Sequence, residues 1–289
     1  MRIGVVFPQT ELGGDAGAVR AWAQRAGELG FTHVLAYDHV VGADPAVHKG
    51  WDGPYDVRTT FHEPMVLYGY LAAVTSMELV TGIIILPQRQ TVLVAKQAAE
   101  VDLLTGGKFR LGVGIGWNRV EYEALGQDFS TRGRRLEEQI TLLRRLWTEQ
   151  TVTFSGPFDQ ITGAGLAPMP VQQPIPVWIG ARSAPAYRRI GRLADGWFPM
   201  AAPGPQLDEA RRIVAEAAAQ AGRDPASIGM EGRVSWQQDG DELAAAMRQW
   251  QDADATHLSV NTMGADLKTV DDHLAALAAA AEAAKTISG

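Results

Sequence analysis

The chain has 289 residues, a formal net charge of −7, 46% hydrophobic and 20% charged content. That is enough apolar material for one large core, and the net negative charge with dispersed arginines excludes a phosphate-neutralising surface for nucleic acid. Cysteine is absent, which excludes disulfides, thiolate nucleophiles and cysteine-ligated metals.

Met1 and Arg2 lead directly into a strand-like run at 3–7. No signal-peptide pattern stands there, and no apolar run approaches the ~20 residues of a membrane span, so a soluble, cytoplasmic protein is expected. A helix is predicted over 16–29, a strand over 33–37, and, after a long irregular stretch, a helix over 63–75. The third strand spans 79–85, apolar to its end but with Gly82 inside it, and a helix follows over 94–104. Residues 110–115 form the fourth strand, and Leu136, Ile140, Leu143 and Trp147 fall on one face of the next helix. From 151 to 176 the rhythm breaks; Val152 and Phe154 alternate with polar residues before Gly156-Pro157, the pattern of a hairpin-like insertion. Strands at 177–180, 195–198, 228–236 and 257–260 complete eight, with helices near 184–193, 205–221, 241–252 and 268–285. The last, nearly polyalanine, reads as a barrel-closing outer helix.

Strands alternating with helices also suit an open doubly wound sheet; the count of eight favours one closed (β/α)8 TIM barrel over residues 1–289, with insertions at its C-terminal face. Chemistry is then expected where the strands end, and the segments 38–62 and 151–176 are expected to lie on that face as lids or binding walls. Asp38-His39 follows strand two, placing an imidazole beside a carboxylate, which suits proton transfer or, equally, a bond within the loop. His33 and His257 read as packing residues at strand starts, His48 and His62 as lid residues, and His273 as a solvated helix residue. Strand four ends in Gly112-Val113-Gly114-Ile115-Gly116-Trp117-Asn118. Arg119 breaks the dinucleotide fingerprint, and glycine at alternate positions instead clears one strand face for something flat. Gly180-Ala181-Arg182-Ser183 ends strand five at a helix start, where free amides, a hydroxyl and a guanidinium suit an anion; a plain serine cap is the alternative.

Asp38-His39, Thr81-Gly82-Ile83, Ala95-Lys96-Gln97, the run 111–117 with 121–126, and Ala194-Asp195-Gly196-Trp197 together resemble the luciferase-like monooxygenase superfamily. More narrowly, they are similar to its branch of coenzyme F420-dependent oxidoreductases. The resemblance covers residues 3 to about 197 and is weaker in the final third. It implies a flat tricyclic ring at the barrel mouth and its phosphate at Gly180–Ser183. A bulge with a non-proline cis peptide maps onto Gly82-Ile83, and His39 would be a proton donor or orienting contact. Asp38 and His39 are thus the expected catalytic residues. Phe7, Gly82, Ile83, Gly116, Trp117, Asn118, Gly180, Ala181, Arg182, Ser183 and Trp197 are expected to bind cofactor. Sugar-phosphate dehydrogenases of the branch carry a glutamate where Trp117 stands, so their substrate is not carried over. The cofactor is expected to be F420, with FMN and monooxygenase chemistry as the alternative; the rival from another class is a non-catalytic ligand-binding barrel. No metal is expected, and a homodimer with a small-molecule substrate fits the resemblance.

Other barrel chemistries fail on missing residues. None of the five lysines (Lys49, Lys96, Lys108, Lys268, Lys285) stands at a strand end for a Schiff base. Strands four and seven end in Gly116-Trp117 and Ser235-Trp236, without the facing carboxylates of a retaining glycosidase.

Overall fold

A computed structural model describes residues 1–287. The strands are β1 (Arg2–Val6), β2 (His33–Ala36), β3 (Glu78–Thr81), β4 (Ile84–Ile85), β5 (Phe109–Gly114), β6 (Val152–Ser155), β7 (Gln160–Ala164), β8 (Val177–Ala181), β9 (Gly196–Pro199), β10 (Gly229–Ser235) and β11 (His257–Asn261). Between them run α1 (Ala16–Glu28), α2 (Pro64–Leu71), α3 (Thr91–Leu104), α4 (Arg119–Ala124), α5 (Arg132–Thr148), α6 (Ala184–Leu193), α7 (Pro205–Gln220), α8 (Gly240–Asp252) and α9 (Val270–Lys285). The main sheet is parallel in the order β3-β2-β1-β11-β10-β9-β8-β5-β4, and a β3–β5 pairing closes it. β3 and β4 are the two halves of the third barrel strand, so the molecule is a closed eight-stranded barrel ringed by helices. Among the described residues no helix is long and apolar enough to cross a membrane.

Helix starts follow local chemistry. Asp15, Glu63, Asn118 and Asp239 accept hydrogen bonds from first-turn amides, and Thr269 with Asp272 forms a reciprocal capping box that starts the alanine-rich α9. One apolar shell lies between strands and helices, with Val5, Phe7, Trp22, Leu79, Leu111 and Trp147 among its members. A smaller one, Val6, Leu35 and Val80 with Tyr37, Phe198 and Met263 against it, fills the barrel interior. Below it, towards the strand starts, the interior is ionic. Arg110 pairs with Glu78 at 2.8 Å and Glu231 at 2.9 Å, and the other Glu231 oxygen meets His33 at 2.9 Å and Ser259 at 2.6 Å. Burial opposes ionisation of Glu231, but His33 and Arg110 outweigh it and hold its carboxyl below the ordinary range. His33 is therefore a polar member of this plug, not simply a packing residue.

Two expectations are corrected. The β6–β7 hairpin does not wall the barrel mouth; it lies outside, against α3 and α5, with the Asp159 and Phe158 amides on Glu138, Thr91 Oγ1 on Asp159 and Lys96 Nζ on the Ala167 carbonyl. The reason is topological: the segment follows a helix, so it leaves from the end of the barrel opposite the strand C-termini. His273 is not solvated but 1% exposed, with Nδ1 2.9 Å from Thr262 Oγ1 and Nε2 3.1 Å from Glu11.

Candidate active site

The third barrel strand breaks at Gly82-Ile83, whose peptide bond is cis, at the position onto which the family resemblance maps it. The break is tied down on both sides. The Gly82 amide donates to the Ala36 carbonyl at 2.7 Å, Thr81 Oγ1 donates to the Gly112 carbonyl at 2.7 Å, and the Ile85 amide donates to Asp38 Oδ2 at 3.1 Å. The glycines of β5 serve this bulge: a Cβ on Gly112 would lie 1.8 Å from the Thr81 carbonyl oxygen, and one on Gly114 2.5 Å from Ile83 Cδ1. The space those glycines clear is therefore filled by the protein's own third strand, not left open as the sequence pattern suggests. Ile83, half-buried, lies over Gly114 and Gly180 and presents the bulge to the mouth.

His39 stands at the end of β2 inside an aromatic box, its ring centroid 5.1 Å from Tyr55, 4.8 Å from Phe61 and 5.7 Å from Trp117. Its Nδ1 is 3.4 Å from Glu121 of α4, a fully buried carboxylate that also accepts from the Val40 amide at 2.5 Å and Gln88 Nε2 at 3.1 Å. Burial works against the charge on Glu121, yet the bonds from His39, Val40 and Gln88 prevail and keep its carboxyl below the usual range. The sequence reading passed over Glu121 as a functional group, although it sits three residues after the capping Asn118. A cavity of about 350 Å³ lies beside His39, walled by the loop residues Val40–Gly42 and Tyr55–Phe61 and by Asn118. So the 38–62 segment does cover the strand C-termini. A larger groove of about 860 Å³ lies at the opposite end, around Arg2, Glu78 and Lys108, away from the strand C-termini where barrel sites form.

Asp38 is placed differently from its neighbour. It is 4% exposed, one oxygen takes the Ile85 amide and the other Arg89 Nη2 at 2.8 Å, and Arg89 also pairs with Glu63 at 2.8 Å. Burial raises its carboxyl, with Arg89 and the Ile85 amide pulling it back. Phe7 and Trp197 both turn away from the mouth: Phe7 packs edge-on to Trp22 and His62, and Trp197 packs edge-on to Tyr187 of α6. Their places inside the barrel are held by Val6 and Phe198. Asn118 is the cap of α4, accepting from the Val120 and Glu121 amides, while Gly116 turns the chain at φ 62° and Trp117 edges the box against Trp51. At the end of β8, Ser183 occupies the N-cap position of α6 without its hydroxyl bonding the helix, and Arg182 is exposed beside it. The hydroxyl is thus not a plain serine cap, and it is left exposed at the helix start.

The family model for luciferase-like monooxygenases matches residues 1–287. The chain belongs to the luciferase-like monooxygenase family. Members are flavin- or deazaflavin-dependent oxidoreductases and monooxygenases, and this luciferase-like chain is an enzyme of that kind. It is 30% identical over 229 residues to an uncharacterized protein of Mycobacterium tuberculosis, covering 78% of this chain and 80% of that one. It is 28% identical over 233 residues to an F420-dependent glucose-6-phosphate dehydrogenase of Microbacterium testaceum, 78% of this chain and 66% of the relative. With an FMNH2-dependent dimethylsulfone monooxygenase of Pseudomonas fluorescens it shares 34% over 140 residues, 47% of this chain and 38% of the relative. Among solved structures, the monooxygenase RslO1 from Streptomyces bottropensis superposes with a TM-score of 0.80 at 20% identity, covering 100% of both chains. An F420-dependent secondary alcohol dehydrogenase follows at 0.77 and 17%, covering 96% and 98%. These structural likenesses carry the fold. The bulge, His39 and the α6 start follow parallel strands of the barrel and so lie at the same end of it.

Proposed function

We propose that the protein uses coenzyme F420 to exchange a hydride with a small organic substrate at the barrel mouth. The observation that carries this is the braced bulge at Gly82-Ile83, with Ile83 turned to the mouth over Gly114 and Gly180. It is a stiff apolar back wall, and a flat ring laid against it keeps only its far face open to substrate. The fit extends to the tail, where Ser183 Oγ, the α6 amides and Arg182 offer donors to a phosphate. F420 supplies two-electron hydride chemistry when bound. The protein's own groups do the rest: His39 holds or moves a proton, and Glu121 takes its Nδ1–H, which leaves Nε2 as the exchanging nitrogen. Asp38 is assigned a positioning role, since both its oxygens are used to brace Ile85 and Arg89. Gly82, Ile83, Gly116, Trp117, Gly180, Ala181, Arg182 and Ser183 are assigned to the cofactor; Phe7 and Trp197 support the wall from outside.

The choice of F420 over FMN rests on the reach of the F420-dependent relative, 78% of this chain against 47% for the FMNH2-dependent one. The flavin reading has the higher local identity, 34% against 28%. Titrating the apoprotein separately with F420 and FMN decides between them. Saturable, tighter uptake of F420 is expected; tighter uptake of FMN reverses the assignment, and uptake of either without turnover of any acceptor leaves a ligand-binding barrel. Trp117 stands where the resemblance places an acid in sugar-phosphate dehydrogenases, so glucose 6-phosphate is not expected to give hydride to the oxidised cofactor here.

A further inference from the structure

The structure assigns Arg233, on β10, as the anchor for a carboxylate-bearing substrate, with Tyr37 as its second donor. This rests on the reading of the mouth as the redox site and names the class of molecule it takes. Arg233 lies two residues after Glu231 on one strand, so both point into the barrel, Glu231 in the buried plug and Arg233 one layer above it in the mouth. Its register partner on β11 is Ser259, whose hydroxyl is also inside. Counted around the barrel, β10 is four places from the broken third strand, directly opposite the bulge.

What distinguishes this guanidinium is its lack of a counter-charge. Arg110 inside the barrel meets Glu78 and Glu231, and Arg89 at the rim meets Asp38 and Glu63. Arg233 is exposed and, among the described residues, meets only Tyr37: Nη1 donates to the phenol oxygen at 2.8 Å, with the guanidinium 5.6 Å from the ring. Glu231 is not available to it, because both its oxygens are taken by Arg110, His33 and Ser259. Tyr37 is in turn fixed by Gln9, which accepts from the Tyr37 amide at 3.0 Å and donates to its carbonyl at 3.1 Å. Since the Tyr37 oxygen accepts from Arg233, its own O–H is left to donate outward. A forked cation on β10 and a hydroxyl donor held by Gln9 just beyond β2, hydrogen-bonded to each other, match a planar oxyanion.

The charge count selects the anion. One cation meets one negative charge, and no helix start adds to it: the α8 start that follows β10 is occupied by Asp239, with Asp241 and Glu242 in its first turn. A carboxylate fits this balance, and a phosphate dianion does not. The neighbouring interior surface is aromatic and apolar, from Tyr37, Phe198 and Met263, which suits a carboxylate on a hydrophobic body.

The test compares benzoate with its neutral isostere benzamide by calorimetry on the cofactor-loaded protein and on the protein alone. Benzoate is expected to bind at least about tenfold more tightly, the worth of a hydrogen-bonded charge. Arg233→Met removes the preference while benzamide binding stays put, and Arg233→Lys keeps part of it. Equal binding of the two probes to the wild type, or an unchanged preference in Arg233→Met, overturns the assignment. So does a tenfold loss of cofactor affinity in Arg233→Met, which gives the guanidinium to the ring instead. If the wild type takes up neither F420 nor FMN, the redox reading falls, while the benzoate preference of the free protein still decides the anion site.

Discussion

The bulge at Gly82-Ile83 depends on missing side chains across from it, and that dependence has a size. A methyl group on Gly112 would stand 1.8 Å from the Thr81 carbonyl oxygen and 2.9 Å from Phe198, where real contacts stay beyond 3.0 Å. Backbone must therefore retreat by at least about 1.2 Å, the shortfall against that limit, and it must do so where Thr81 Oγ1 already bonds the Gly112 carbonyl. Overpacking of this kind costs about 1–3 kcal/mol, which for a chain of this size lowers the melting temperature by roughly 2–6 °C. Gly114→Ala meets only the Ile83 side chain, Cδ1 at 2.5 Å and Cγ1 at 2.9 Å, and Gly180→Ala meets Ile83 Cγ2 at 3.3 Å. The first is relieved by a rotamer change costing about 1 kcal/mol, and the second by a few tenths of an ångström. Thermal denaturation followed by circular dichroism should rank the losses Gly112→Ala, then Gly114→Ala, then Gly180→Ala. Cofactor affinity should fall in Gly112→Ala as well, because the back wall moves. A Gly112→Ala protein that melts within about 1 °C of the parent and binds cofactor equally well would refute the account of why β5 carries these glycines.

Replacing His39 with alanine is expected to reduce turnover by about 10²–10⁴ while changing cofactor Kd little, which steady-state kinetics and a cofactor titration separate. Glu121→Gln should lower kcat in the same sense by a smaller factor, since the imidazole keeps a partner but loses the charge behind it; an unchanged kcat assigns Glu121 to folding alone. Ser183→Ala combined with Arg182→Glu should weaken cofactor binding by about tenfold or more, and unaltered affinity would move the phosphate elsewhere. Stability should fall in acid. Burial, with Arg110 adding to it, lowers His257 from 6.5 to about 3, so below pH 6.5 the unfolded chain binds a proton that the folded one refuses. The depressed Glu231 adds a second loss below its unfolded value of 4.5. The melting temperature should therefore drop as pH falls from 6.5, and His257→Gln should reduce the slope between pH 6.5 and 4.5.

The barrel and its order of elements were legible because the strands are short apolar runs separated by amphipathic helices, whereas the break at Gly82 came only from the family resemblance, since the apolar run 79–85 by itself reads as an unbroken buried strand. Which strand residues point inward was not. Phe7 and Trp197 were expected at the cofactor, yet it is Val6 and Phe198 that face the interior. A barrel strand is covered on both faces, so its sequence is apolar throughout and the two-residue alternation that would fix the parity is absent. Polar residues restore that signal. In β10, Glu231 and Arg233 share the parity of His257 and Ser259 in β11 through the observed register, so a charged residue two places from a buried one marks the inner face. His39 and Asp38 show the complementary limit. Adjacent on the chain, they part at the strand end, one into the aromatic box and the other onto the Ile85 amide and Arg89. Adjacency suggested a dyad, but neighbours at a strand terminus point to opposite sides, and the carboxylate that backs His39 comes from Glu121, 82 residues later, by way of α4.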